Sequence, residues 1–197
     1  MSAVKIYGDL ASGNCLKVRY TADFLDIPYS WEARDIMKGE SRTQEFLAIN
    51  PAGQVPAIEL DDGRVLTQSN AIVQYLAEGS ALLPGDAFER AQVNGWLFWE
   101  QYSHEPYVGV CRFVMHYQGK PKAAREGWRV ERGEHALDFM EQSLSGKTWL
   151  TADRFTIADI ALLAYTRVGH EGGFNLAARP NVRQWITRCE APLGLRG

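Results

Sequence analysis

The sequence predicts an α/β domain followed by an all-helical domain. Three observations carry that reading. A strand, a helix and a second strand follow one another within the first ~30 residues. An Asp-Asp-Gly turn between two apolar runs, and one further helix, complete a small sheet before residue 80. From Phe88 onward strand patterns vanish and the long segments carry helical spacing.

The first strand starts at Val4 and Ile6. From Gly13 to Leu25, Leu16, Tyr20 and Phe24 recur at four-residue spacing, with Val18, Ala22 and Leu25 nearby, which predicts a helix. Ile27-Pro28 ends it, and Tyr29, Trp31 and Ala33 then alternate with Ser30, Glu32 and Arg34 as a strand does. Two strands joined by a helix favour parallel pairing. A polar segment follows, then NPAGQVPAIEL, the turn Asp61-Asp62-Gly63, RVLT, and the helical run SNAIVQYLA with Ile72, Val73 and Leu76. Gly79 to Ala87 reads as a linker between domains at residues 1–79 and 88–197. Beyond it, Ala87–Tyr117 reads as one helix or two, with Pro106 as the kink or break. Ala123–Leu144, Thr156–Arg167 and Asn181–Cys189 read as further helices. In FTIADIALL, Thr156 and Asp159 form a capping box with Asp in place of the usual Glu or Gln.

Composition excludes several classes of function. The 197 residues are 46% hydrophobic, enough to build a core, and the net charge of −3 leaves no basic stripe for nucleic acid. Cys15, Cys111 and Cys189 are too few and too scattered for a disulfide framework, and neither they nor the four histidines show zinc-site spacing. No metal is expected. No run approaches the roughly 18 apolar residues of a membrane span. The N-terminus lacks a basic region followed by an apolar core, so a cytoplasmic protein is expected, with neither nucleic acid nor membrane as partner.

Three stretches carry chemistry. Where the first strand turns into the first helix stands Ser12-Gly13-Asn14-Cys15, the place that a C-x-x-C motif occupies in a thioredoxin-like βαβ unit. With a hydroxyl in the first position, this motif cannot run two-thiol exchange. Ser12 either caps the helix or hydrogen-bonds a thiolate brought by a ligand, helped by the helix N-terminus. Cys15, one turn inside the helix, reads as a small buried residue. Val55-Pro56 at the start of a strand suits a cis bond or a sheet edge, against which an extended peptide can pair. In LTQSNAI, Ser69 stands before an apolar helical run, where a hydroxyl and free N–H groups can cap the helix, hold a carboxylate, or do both.

Together these stretches resemble the cytosolic glutathione transferase family, in its bacterial, serine-type (theta-like) form, over nearly the whole chain. NPAGQVPAI is similar to the family's segment through its cis-proline, and LTQSNAI to its glutathione-binding segment. FTIADI resembles its helical-domain cap, and FNLAARPNVRQWITR its closing helix. The resemblance implies a thioredoxin-like N-terminal domain that binds glutathione as co-substrate and an all-helical C-terminal domain that contributes the electrophile site. It implies Ser12 as the residue activating the thiol, and the Val55 backbone before Pro56 as partner of the cysteinyl unit. It implies Gln68 and Ser69 as holders of the γ-glutamyl end, Gln54 as a contact to the tripeptide backbone, and Arg42, with Lys38 as competitor, as partner of the glycyl carboxylate. Tyr102, His104, Tyr107 and Arg112, with Trp99 and Met115, are the candidates to line a cleft for a hydrophobic electrophile between the domains. A homodimer is implied as well. Two departures stay open: Tyr7 stands near the catalytic tyrosine of the alpha, mu and pi classes, and Cys15 near the cysteine of beta-class enzymes. The competing functions are a non-catalytic binding or assembly module and a glutathione-dependent thiol-disulfide reductase or peroxidase using Cys15.

Overall fold

Five residues of β1, Val4–Gly8, run through the middle of a small sheet, with all but Lys5 buried. The computed structural model describes residues 4–151 and 154–195. In it, β1 pairs in parallel with β2 (Tyr29–Ala33), Val4 opposite Tyr29 and Gly8 opposite Ala33. Parallel neighbours need a crossover, and α1 (Gly13–Phe24) supplies it. On its other side β1 pairs antiparallel with β3 (Ala57–Glu59), which pairs antiparallel with β4 (Val65–Thr67), giving the order β2-β1-β3-β4. The hairpin turn is closed by Leu60 N–H to Arg64 O at 2.9 Å, with Gly63 at φ +80°. After a short 3₁₀ turn at Ile36–Lys38 and another at Glu40–Arg42 comes α2 (Gln44–Ile49), and α3 (Ser69–Ala77) ends this part. The arrangement is thioredoxin-like, as the resemblance implies.

Two expectations need correction here. The polar segment before Asn50 contains α2, capped by the Thr43 hydroxyl, which accepts the Phe46 N–H at 3.3 Å. A six-residue helix with one fully inward side chain, Phe46, shows no apolar period to read. In α1 the most deeply buried apolar line is Cys15, Val18 and Ala22, each without exposed surface, whereas Leu16 and Phe24 are half-buried. The helix was visible in the spacing, but its inward face is rotated from the Leu16–Tyr20–Phe24 row.

The chain divides into two units, residues 1–80 and 81–197. The second is helical: α4 (Ala87–Trp99), α5 (Glu105–Arg112), α6 (Gly127–Ser143), α7 (Ile157–Thr166) and α8 (Pro180–Glu190). Pro106 lies in the first turn of α5, where its missing N–H costs least, and the chain between α4 and α5 widens into a π turn at Glu100–His104. A second π turn follows at Phe113–Tyr117. The helix expected from Ala123 begins only at Gly127, after a 3₁₀ turn at Lys122–Ala124.

Every residue of α7 is buried, as befits a helix apolar on all sides. Its one charged residue, Asp159, is therefore expensive unless satisfied. It is satisfied by convergence: Oδ1 accepts from Leu150 N–H at 3.1 Å and from Trp185 Nε1 at 2.8 Å, while Oδ2 accepts from Thr156 N–H at 3.0 Å. Burial pushes its carboxyl up to about 6, while the donors from Trp185, Leu150 and Thr156 pull it down. One side chain thus ties the 150s loop, the start of α7 and the middle of α8. Asp159→Ala strands several buried donors at once, each worth about 1–3 kcal/mol. The expected loss is about 3 kcal/mol or more, seen as a lower midpoint in urea unfolding; a loss under about 1 kcal/mol contradicts this role.

Candidate functional site

Strand register gathers the site. Tyr7 of β1 faces Ala57 at the start of β3, and Ala57 faces Thr67 at the end of β4. The end of β1, the beginning of β3 and the end of β4 therefore share one end of the sheet. Three segments leave or enter the sheet there: the loop to Ser12, the approach through Gln54-Val55-Pro56, and Gln68-Ser69 leading into α3. Residues far apart in sequence meet because the pairing forces them to.

The loop after β1 is folded by Asp9, whose Oδ1 accepts Ala11 N–H at 2.8 Å and whose carbonyl accepts Ser12 N–H at 3.0 Å. Ser12 arrives in extended conformation (φ −78°, ψ 122°), and its carbonyl takes Leu16 N–H at 2.9 Å, the first bond of α1. Its side chain makes no capping bond to the helix, and no acidic residue sits in the first helical turn to neutralise the positive end of the helix dipole. The backbone of Ser12 starts the helix while its hydroxyl is left over from that task.

The neighbouring candidates have other occupations. The Cys15 thiol is wholly buried, and desolvation pushes its pKa up to about 11, against smaller pulls downward from the Asp9 N–H, 3.4 Å from Sγ, and from the Ser12 hydroxyl. Tyr7 is buried too, and its hydroxyl donates to Glu59 Oε2 at 2.6 Å, an oxygen that Lys5 Nζ also meets at 3.4 Å. Burial first, then Glu59, raises the pKa of that phenol.

The Val55-Pro56 bond is cis. The approach to it is held from below by Asn50, nearly fully buried, whose Nδ2 donates to Gln54 O at 2.7 Å and whose Oδ1 accepts Ala52 N–H at 3.1 Å. Gln54 is exposed, and among the described residues the Val55 main chain has no partner. Arg42 lies along the same loop: Nη1 donates to Ala52 O at 3.0 Å, and a Cβ on Gly53 (φ +59°) would sit 2.6 Å from that nitrogen. Lys38 instead pairs with Asp35 at 3.1 Å, beside the short turn that it ends.

At the third segment Gln68 adopts φ +70° and ψ 111°, a conformation that non-glycine residues take only at a cost of about 1–3 kcal/mol. Such a twist re-aims an exposed side chain and its backbone at the start of α3. Ser69 is buried, and its hydroxyl donates to Asn14 Oδ1 at 3.1 Å, across to the first turn of α1. The same Asn14 oxygen accepts from Lys17 Nζ at 2.8 Å, and Lys17 has no exposed surface. Asn14, Lys17 and Asn50 were not among the expected site residues; only Asn14, next to Ser12 in the motif, had a sequence signal.

The helical-unit candidates fall into different environments. His104 is fully buried, its Nε2 3.0 Å from Thr166 Oγ1. Arg112 is buried with Nε on Glu171 Oε2 at 2.6 Å. Both are polar groups satisfied inside the helical unit rather than lining residues. Tyr107 is half-buried, its hydroxyl accepting from Arg132 Nη1 at 2.9 Å and its ring set edge-on to Trp128. Tyr102 is 80% exposed. No helix among the described residues is long and apolar enough to cross a membrane, and no cluster of them is arranged to hold a metal ion.

Two family models match the chain: the glutathione S-transferase N-terminal domain over residues 11–78 and the glutathione S-transferase C-terminal domain over residues 108–192. The sequence is similar to Glutathione S-transferase 3 of Zea mays, 32% identical over 197 residues that cover 94% of this chain and 88% of that protein. The structure is similar to a glutathione S-transferase from Pseudomonas fluorescens Pf-5, with a TM-score of 0.92 and 47% identity over 95% of this chain and 94% of that one. It is also similar to a glutathione S-transferase from Xanthobacter autotrophicus Py2, with a TM-score of 0.91 and 41% identity over 95% of this chain and 93% of that one.

Burial and a thiol held near 11 make Cys15 inert in the folded chain. Iodoacetamide at neutral pH, read by peptide mass spectrometry, is expected to leave Cys15 unmodified until urea is added. Rapid labelling of the native protein contradicts the assignment.

Proposed function

Because this chain belongs to the glutathione S-transferase family, we propose that it binds glutathione at the sheet end described above, ionises its thiol, and directs the thiolate onto a hydrophobic electrophile. The observation that carries the reading is the Ser12 hydroxyl, set at the N-terminus of α1 and not used to cap it.

The energetics are adequate. A free thiol with a pKa near 8.5 is only about 3% thiolate at pH 7, and lowering that pKa by two units takes about 2.7 kcal/mol. A hydrogen bond to a charged group contributes roughly 1.5–3 kcal/mol and a helix N-terminus about 0.3–1 kcal/mol. One serine hydroxyl and the open end of α1 cover the requirement. The sulfur of glutathione is the nucleophile; the protein activates and positions it. Its proton leaves to solvent, the sulfur–carbon bond forms, and the electrophile's leaving group or displaced electron pair accepts the charge.

The rest of the cluster suits the tripeptide. The unpartnered main chain of Val55 offers an N–H and a carbonyl to the cysteinyl unit in the manner of an added strand. Gln68, aimed by its strained backbone, and Ser69, with the first N–H groups of α3, suit the carboxylate and amine of the γ-glutamyl end. Gln54 faces the tripeptide backbone. Arg42, exposed beside Gly53, serves the glycyl carboxylate; Lys38, occupied by Asp35, is the weaker claimant. Tyr102 and Tyr107 are the helical unit's contacts for the electrophile, whose identity is a hydrophobic carbon centre. Association as a homodimer has support in α4, which leaves Phe88 72% and Phe98 75% exposed. The reaction calls for a cytoplasmic setting, where glutathione is abundant.

Ser12→Ala is expected to raise the pKa of the bound thiol by one to two units, an amount of about 1.5–3 kcal/mol, with little change in glutathione affinity. Ultraviolet thiolate absorbance against pH reads this directly; an unchanged titration moves the role elsewhere. Ser69→Ala removes a hydroxyl from the γ-glutamyl end and is expected to weaken glutathione binding by roughly tenfold in calorimetry, while an unchanged affinity takes Ser69 out of the site.

A further inference from the structure

The helical unit carries a cleft of about 710 Å³, the size of a small-molecule pocket. It lies away from the sheet-end cluster, between α4, α6 and the loop that follows α6. Three aromatic rings wall it. Trp96 and Trp99 of α4 stand 5.3 Å apart, and Phe139 of α6 stands 5.7 Å from the first and 5.0 Å from the second. Trp96 has its polar edge satisfied, Nε1 donating to Leu150 O at 3.1 Å, so its orientation is fixed and its ring is left as apolar wall. Phe139 is 46% exposed, a large ring left open to solvent.

Two further features are independent of the rings. Gly95 also lines the cleft, in the interior of α4, where glycine weakens a helix. Nothing lies within 4 Å of a Cβ placed there, so internal packing does not demand a glycine. Its missing side chain keeps the groove open. The second feature is charge. Among the described residues that line the cleft none is acidic, although the chain carries 24 Asp and Glu, and one, Lys147, is basic. Lys147 is exposed and has no carboxylate partner among the described residues. Just behind it, Arg188 donates from Nε to Thr148 O at 3.2 Å, adding a second cation to the same loop.

We infer that this cleft is a binding site for a planar aromatic anion, its ring system against Trp96, Trp99 and Phe139 and its acidic group at Lys147. Flat rings match aromatic walls through offset and edge-on contacts, and an aryl sulfonate or carboxylate matches an unpaired ammonium at the rim. The inference does not rest on the glutathione reading, since no residue of the sheet-end cluster takes part.

The test uses the whole chain with two probes of nearly the same ring system: 8-anilinonaphthalene-1-sulfonate, and N-phenyl-1-naphthylamine, which lacks the sulfonate. Both are titrated with S-hexylglutathione present in excess, and probe emission excited through tryptophan is followed. The expected result is one sulfonate site per chain that S-hexylglutathione does not displace. Lys147→Glu, at an exposed position, is expected to weaken the sulfonate about tenfold and to change the neutral probe by less than about twofold. Phe139→Ala is expected to weaken both. Complete displacement of the sulfonate by S-hexylglutathione overturns the inference, as does equal sulfonate affinity in wild type, Lys147→Glu and Phe139→Ala. Equal weakening of both probes by Lys147→Glu also overturns it, because the cation then has no part in recognition.

Discussion

A single row of paired residues, Tyr7 to Ala57 to Thr67, sets the position of nearly everything at the sheet end. Strand pairing is unforgiving: a slip of one residue turns every side chain to the other face. With that row in place, the chain must leave β1 toward Ser12, enter β3 through Pro56 and leave β4 through Gln68 at one common end. The hydrogen bond from Ser69 to Asn14, 3.1 Å long, then fastens the start of α3 to the first turn of α1. Two helix N-termini and one unpaired stretch of main chain are brought together by backbone geometry before any side-chain chemistry is considered.

The polar groups of the molecule divide into those consumed by the fold and those left over. Asp159, His104, Arg112, Asn50 and Lys17 are buried and partnered, and their cost is offset by hydrogen bonds to groups that would otherwise be orphaned. Ser12, Gln54 and Gln68 stand at the surface or near it without such a structural task. Gln68 even carries a backbone cost that no contact within the sheet requires. Residues that fold the chain and residues that are free to meet a ligand are therefore distinguishable on physical grounds, and the second set is the one that supports glutathione binding.

Much of this was legible in the sequence, for physical reasons. The alternation in β2, the Asp61-Asp62-Gly63 turn and the Thr156–Asp159 cap are local signals, and local signals survive without knowledge of the fold. Ser12 and Ser69 were visible because each precedes a helix. What escaped was set by tertiary context. α2 holds one inward side chain, Phe46, which packs edge-on against Tyr7 at 5.9 Å, a contact with a residue almost forty positions away. The true inner line of α1, Cys15–Val18–Ala22, uses small side chains that a reading weighted toward large ones passes over. His104 and Arg112 drew notice as polar residues in an apolar stretch, yet their partners, Thr166 and Glu171, lie some sixty positions downstream, where no spacing rule points. Asn14 and Asn50 each act through two contacts that only the folded loop creates.

The central claim is geometric: the sulfur of glutathione rests beside the hydroxyl of residue 12, at the open end of α1. A crystal structure of the chain grown with glutathione measures it directly. The account predicts the sulfur within hydrogen-bonding reach of Ser12 Oγ, with the γ-glutamyl end at Gln68 and Ser69. A sulfur seated instead at Tyr7 or Cys15, or a sheet end that takes up no tripeptide at all, would contradict it.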